Sequence, residues 1–195
     1  MSVASSQAQN RYSGVFFILL WIFATMGGFL VSLLIVEVGE APDMRIGEAA
    51  IGGLAIALPQ SCILRKTISP VKWVLSTFFI WSLIAAIGIG ALGWSVSTTD
   101  FIPQRIFSGI ISGGIGGLMM GLAQWSLAIP PSLSSAWQWI FVNSAAWAVA
   151  LPIGSTLGIF LRQMSQLYLG EVIGLAVTWI IVAIVTGISA EKVLT

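Results

Sequence analysis

Histidine is absent from the 195 residues, cysteine occurs once, and only 8% of the chain is charged. Each shortage closes off a class of chemistry. Without histidine there is no serine–histidine hydrolytic pair and no histidine-held haem or chlorophyll. The one thiol, Cys62, has no partner for an intrachain disulfide or a cysteine-built metal site. Eight cations against seven anions leave a net charge of +1, so there is no strongly basic face to bind nucleic acid. Paired intramembrane aspartates, a phosphate-cradling glycine loop and a carboxylate cluster for a metal are missing too. Ser112, in GIISGG, lacks a base to activate it and reads as a packing residue. The chain is expected not to be an enzyme, and no catalytic residue, metal or cofactor is implied.

What the chain has instead is apolar length. It is 57% hydrophobic, with a mean hydropathy of +1.01, and could not present an ordinary charged surface to water. At about 20 apolar residues per crossing, the runs predict six transmembrane helices near 14–37, 47–65, 71–95, 106–128, 136–161 and 167–190. The first run exceeds the signal-peptide core of about 7–15 residues, and no small-x-small cleavage site follows it, so it is expected to stay as a span. Residues 1–12 form a short polar tail ahead of a single transmembrane domain, 13–195. Arg11, Arg65, Lys66, Lys72 and Lys192 fall on one side of the predicted bundle. Arg45, Arg105 and Arg162 fall on the other with Glu37, Glu40, Asp43 and Glu48. The excess of cations on the first side predicts that both termini are cytoplasmic.

Gly109, Gly113, Gly117 and Gly121 recur every fourth residue in one apolar run. Each would cost roughly 1 kcal/mol against alanine in a soluble helix, but in lipid such a row lets two backbones approach closely. Moving along by 64 residues brings Ala49, Gly53 and Ala57 onto Gly113, Gly117 and Gly121, Gln60 onto Gln124, Trp73 onto Trp137 and Gly90 onto Gly154. Units near 46–97 and 110–161 therefore read as a tandem repeat. A third echo, Gly170-Gly174-Thr178, keeps the spacing without the glutamine. A unit of two crossings repeats in one orientation, giving parallel repeats. The short loops Ile68-Ser69-Pro70 and Ile129-Pro130-Pro131-Ser132 make helical hairpins of the neighbours. The expected fold is an all-α integral membrane protein, a pseudo-threefold bundle with helices 2, 4 and 6 as an inner ring.

Four polar residues inside or near the spans are candidates for a polar site. Gln60 and Gln124 stand seven residues after Gly53 and Gly117, on the same helix face. They either line a solute site or make interhelical hydrogen bonds of about 0.6–2 kcal/mol. Asn143 should face the bundle, since an unpaired amide in hydrocarbon is costly. Glu171 and Glu48 begin helices 6 and 2, where water and the helix dipole can accommodate a carboxylate. Pro59 and Pro152 should kink their helices. Trp73, Trp94, Trp137 and Trp139 suit an interfacial aromatic belt, whereas Trp81, Trp125, Trp147 and Trp179 should fill the bundle.

The runs GGLAIALPQS…KW and GGLMMGLAQWS…AW resemble a group of uncharacterised multi-pass membrane proteins, chiefly cyanobacterial, best over helices 2 to 5. The chain departs from their usual Gln-Trp at Gln60-Ser61 and keeps the Leu-Arg that often follows only at Leu64-Arg65. The resemblance implies a bacterial plasma or thylakoid membrane and no activity. Two functions remain in view. One is a non-catalytic accessory, assembly or structural subunit of a larger membrane complex, with lipids and other membrane subunits as partners. The alternative is a small-solute carrier or channel, with a small-molecule ligand inside the bundle.

Overall fold

The computed structural model describes residues 2–40, 45–89 and 92–194, with side chains from residue 14 onward apart from residue 40. Asp43 and Gly90 lie outside the described residues, as do the side chains of Arg11 and Glu40. The described residues form six helices: α1 (Ser2–Ser32), α2 (Ile46–Leu64), α3 (Pro70–Ala86), α4 (Ile102–Leu127), α5 (Gln138–Ser165) and α6 (Leu169–Val193). A two-residue parallel pairing, β1 (Gly39–Glu40) with β2 (Ser95–Val96), ties the α1–α2 and α3–α4 connections together. The residues expected as a polar tail continue α1 from Ser2. Five helices are long and apolar enough to cross a membrane, and the chain is a multi-pass membrane protein.

The exception is α3. The apolar run to 95 predicts one long helix, but the helix ends at Ala86 after 17 residues. Gly88 takes a left-handed φ of +75° and Gly93 one of +90°, which glycine adopts without a Cβ penalty. The chain then turns inward, burying Leu92, Gly93 and Trp94. Two glycines make room for it: a Cβ on Gly52 would meet the Trp94 ring at 2.7 Å, and one on Gly116 would fall on Leu92 Cδ1. The Trp94 indole donates to Ser32 Oγ at 2.7 Å, and the Trp179 indole donates to the Gly93 carbonyl at 2.9 Å. An inserted loop is tolerated in the interior because its polar groups find partners there.

Contacts between helices follow the chain order from α1 to α6 and close between α6 and α1. The helices form a single ring, and the inner ring expected from helices 2, 4 and 6 is absent. The glycine row of α4 lies against α5. A Cβ on Gly117 would fall on the Asn143 carbonyl and one on Gly113 on the Trp147 carbonyl, while Gly121 meets Ile140 Cα at 2.6 Å and Gly109 meets Pro152 at 3.1 Å. On α6, Gly170 abuts the Arg162 backbone and Gly174 abuts Gly154 and Gly158. In α2, Ala49 and Ala57 are buried, and Gly53 receives the Trp81 ring. These approaches are backbone to backbone on α5 and backbone to side chain on α2.

The axis is filled by aromatic rings. Near the end bearing Arg65, Lys66 and Lys72, Trp21, Trp73 and Trp139 from α1, α3 and α5 meet one another with centroids 5.9–6.1 Å apart. Two helical turns further along the same helices come Phe29, Trp81 and Trp147, gathered around Trp179 of α6 at 5.7, 6.1 and 5.0 Å. Trp73, Trp94 and Trp139, expected in the interfacial belt, are buried, whereas Trp125 is 40% exposed. A tryptophan at a helix end can serve either purpose, and here the ring of helices turned these inward.

Candidate functional site

The four polar candidates separate into two places. Gln60, Gln124 and Asn143 lie on the axis between the two aromatic layers. Gln60 Nε2 donates to Thr25 Oγ1 at 2.9 Å, and its Oε1 accepts from the Trp73 indole at 3.3 Å. Gln124 repeats the pattern one helix pair later, donating to Thr77 Oγ1 at 2.9 Å and accepting from Trp139 at 2.8 Å. In α6 the corresponding place is held by Thr186, which accepts from the Trp21 indole at 3.1 Å and donates to the Val182 carbonyl at 2.6 Å. Asn143 turns back to its own helix, donating to the Trp139 carbonyl at 2.9 Å. A void of about 40 Å³ remains among these groups. Among the described buried side chains, only Thr156 Oγ1 lacks a hydrogen-bond partner. The axial amides are thus engaged with protein.

Glu171 lies elsewhere, near the opposite end of the bundle. It was expected at an interface within reach of water, but it is 2% exposed and paired with Arg105, itself 1% exposed. Both residues sit in the first turns of their helices, α4 and α6, which start at the same end. The pairing is bidentate: Nη2 to Oε1 at 2.9 Å and Nη1 to Oε2 at 3.1 Å. Gly158 on α5 leaves the space, for a Cβ there would lie 2.7 Å from Oε2. The remaining guanidinium donors go to the carbonyls of Thr99, Ser97 and Ser155 and to Ser155 Oγ. Arg105 therefore joins α4, α5, α6 and the 97–99 segment with every N–H engaged. Planar, multidonor geometry of this kind is what distinguishes arginine from lysine. Arg162 approaches Glu171 Oε1 at 3.8 Å and lies over the Tyr168 ring.

Beside this pair is a partly open cavity of about 280 Å³. Arg105 and Glu171 reach one wall, and hydroxyls and an amide line much of the rest, among them Ser97, Thr98, Gln104, Ser108 and Ser112. Ser112 Oγ donates to the Ser108 carbonyl at 2.7 Å, an ordinary intrahelical bond. Among the described residues no group of three or more histidines, cysteines, aspartates and glutamates could hold a metal. Glu48 caps its own helix, accepting from the Arg45 amide at 3.1 Å. The arrangement can bind and orient a ligand, but it offers no activated nucleophile or base. Comparison with protein families, curated proteins and solved structures found no similarity to this chain.

Arg105 is the charged residue of the candidate site that sequence reasoning missed. The signal was available: one cation and one carboxylate, each in the first turn of an apolar helix, at the same end of the bundle. Either alone would be expensive in a span, and a pair relieves both. The cavity had no sequence signal, because its hydroxyls come from a loop and from faces of α4 and α5 that only the fold brings together.

Proposed function

We propose that the chain is a non-catalytic accessory or assembly subunit of a larger membrane complex. The observation that carries this reading is the filled axis. Two layers of aromatic rings and a satisfied set of amide, hydroxyl and indole hydrogen bonds leave a void of about 40 Å³ between them, which is room for a water or two and not for a conduit. A bundle whose axial polar groups are satisfied within the chain is suited to packing its outer faces against other chains. Purification from native membranes in mild detergent should recover the protein with stoichiometric partners. Recovery as free monomer with no co-purifying chain would overturn it.

The second reading, a small-solute carrier, is favoured by the cavity beside Arg105. It requires the Trp81–Trp147–Trp179 layer to part. Reconstituted protein should then catalyse uptake that Gln60→Leu with Gln124→Leu changes; unchanged uptake would exclude a route past the glutamines.

Supporting a pseudo-threefold arrangement are the recurring links Thr25–Gln60–Trp73 and Thr77–Gln124–Trp139, with Thr186–Trp21 as a shortened third. The cations Arg65, Lys66 and Lys72 favour that end as cytoplasmic, in a bacterial plasma or thylakoid membrane. Cysteine accessibility at Ser69 and Asp100 would report the orientation, with Asp100 labelled from outside the cell.

A further inference from the structure

The geometry points to the cavity beside Arg105 as a binding site for an uncharged, hydroxyl-rich group, such as a monosaccharide or cyclic polyol. This goes beyond the accessory reading and holds whether the chain works alone or in a complex.

Arg105 spends its N–H groups on Glu171, three carbonyls and one hydroxyl. The guanidinium has no N–H left for an anion. Both Glu171 oxygens accept from the guanidinium, and Arg162 stands 3.8 Å from Oε1, so the charge of the carboxylate is already balanced by cations of the protein. The two formal charges cancel within the pair. A charged guest would lose hydration without gaining a counter-ion, and that penalty is severe.

What the wall offers is neutral and two-sided. Ser97 and Thr98 present hydroxyls, Gln104 an amide whose Nε2 can donate, and Ser112 an oxygen that can accept, its own proton being held by the Ser108 carbonyl; together they match hydroxyls that do both. Leu151 and Leu175 supply an apolar side against which the C–H face of a sugar or cyclitol ring can lie. A site built to hydrogen-bond hydroxyls also discriminates against guests that lack them. The volume, about 280 Å³, sits at the lower end of ligand pockets, which run from roughly 300 to 1,000 Å³, so the guest is small. The same chemistry occurs in free sugars and in the headgroups of glycolipids.

The test uses the full chain in nanodiscs of phosphatidylcholine, with thermal unfolding followed at increasing concentrations of glucose, myo-inositol, sodium phosphate or sodium acetate. A parallel set of discs contains monohexosyldiacylglycerol. A concentration-dependent rise in Tm with glucose or inositol supports a free solute. A rise only with the glycolipid supports a headgroup. Ser112→Phe should abolish either rise by filling the cavity. Gln104→Leu, on an exposed residue, should weaken affinity by about tenfold, the loss of one or two hydrogen bonds. Ser126→Phe, at the far end of α4, should leave the rise intact. No rise with either hydroxyl source, an equal rise with phosphate or acetate, or a rise indifferent to both cavity variants would overturn the assignment.

Discussion

Replacing Glu171 by glutamine keeps the side-chain shape and removes the charge opposite Arg105. The guanidinium would stay buried at 1% exposure, with one carbonyl oxygen in place of two carboxylate oxygens. One of its two short contacts, 2.9 and 3.1 Å, would face an amide NH₂ instead of an acceptor. Breaking a buried pair in this way costs about 3–5 kcal/mol. Arg162 would add repulsion, since it now sits 3.8 Å from Oε1. Arg105→Met should cost less through charge, because Arg162 can move toward the abandoned carboxylate, but it also strips donors from the Ser97, Thr99 and Ser155 carbonyls. The double variant, Arg105→Met with Glu171→Met, removes both charges together and buries neither alone. Its loss should fall short of the summed single losses by about 2 kcal/mol or more, where independent sites add within roughly 0.5 kcal/mol. Equilibrium unfolding in mixed micelles, read by tryptophan fluorescence, gives all three values. Additive losses would mean that the two residues do not hold each other, and the account of this end of the bundle would fail.

Two further outcomes concern the axis. Gln124→Leu should destabilise more than Gln60→Leu, by about 1–3 kcal/mol against a smaller loss, because its bond from Trp139 is 2.8 Å while that from Trp73 to Gln60 is 3.3 Å; the same unfolding assay ranks them, and the reverse order would refute the argument. Thr186→Gln should leave stability unchanged or raise it by about 0.5–1.5 kcal/mol, since it places at the third link the amide that Gln60 and Gln124 use at the other two, beside a void of about 40 Å³. A loss as large as that of Gln124→Leu would show the third link to be built differently from the other two.

The membrane class and five long helices could be read from hydropathy, because an apolar run of sufficient length has few other uses. The end of α3 could not. Ile87 to Trp94 is as apolar as the helix before it, and hydropathy reports burial without distinguishing a buried loop from a helix. Gly88 and Gly93 were the available signal, yet in a chain with 21 glycines they read equally well as packing residues. Gln60 and Gln124 could be placed facing other helices because each stands seven residues, nearly two turns, after a glycine of the packing row. The partners themselves were misplaced: Trp73 and Trp139 stand at helix starts, where an interfacial tryptophan is equally at home. Glu171 was misjudged for a different reason. Its burial depends on Gly158 beneath it and on Arg105, 66 positions away, and neither relation has a local signature. The third echo offered no glutamine seven positions beyond Gly174. The residue of α6 that meets the axis as Gln124 does is Thr186, twelve positions beyond Gly174, whereas Gln124 is seven beyond Gly117.

The glycine row of α4 supplies a test in which two neighbouring residues should respond with opposite sign. At Gly117 a Cβ would fall on the Asn143 carbonyl oxygen and stand 2.8 Å from its carbon and 2.9 Å from Ser144 Cα. These are backbone atoms of a packed helix and cannot rotate away, so α4 and α5 must separate. Overpacking of this kind costs about 1–3 kcal/mol. At Gly114 the nearest atoms are Ala148 Cβ at 3.8 Å and Ser144 Oγ at 4.0 Å, ordinary contact distances. There alanine adds van der Waals contact and gains up to about 1 kcal/mol of helix propensity over glycine. Gly114→Ala should therefore leave Tm unchanged or raise it in detergent, while Gly117→Ala lowers it and Gly117→Leu lowers it further. Leucine is more lipid-soluble than glycine, so insertion of each variant should survive. Val149→Leu, on a side chain 53% exposed, should change neither quantity. Propensity alone predicts that both alanines stabilise; a lipid-facing row predicts that neither matters. Equal Tm for Gly114→Ala and Gly117→Ala would leave the close α4–α5 approach without support, and with it the seating of Trp139 and Trp147, which α5 carries to the axis.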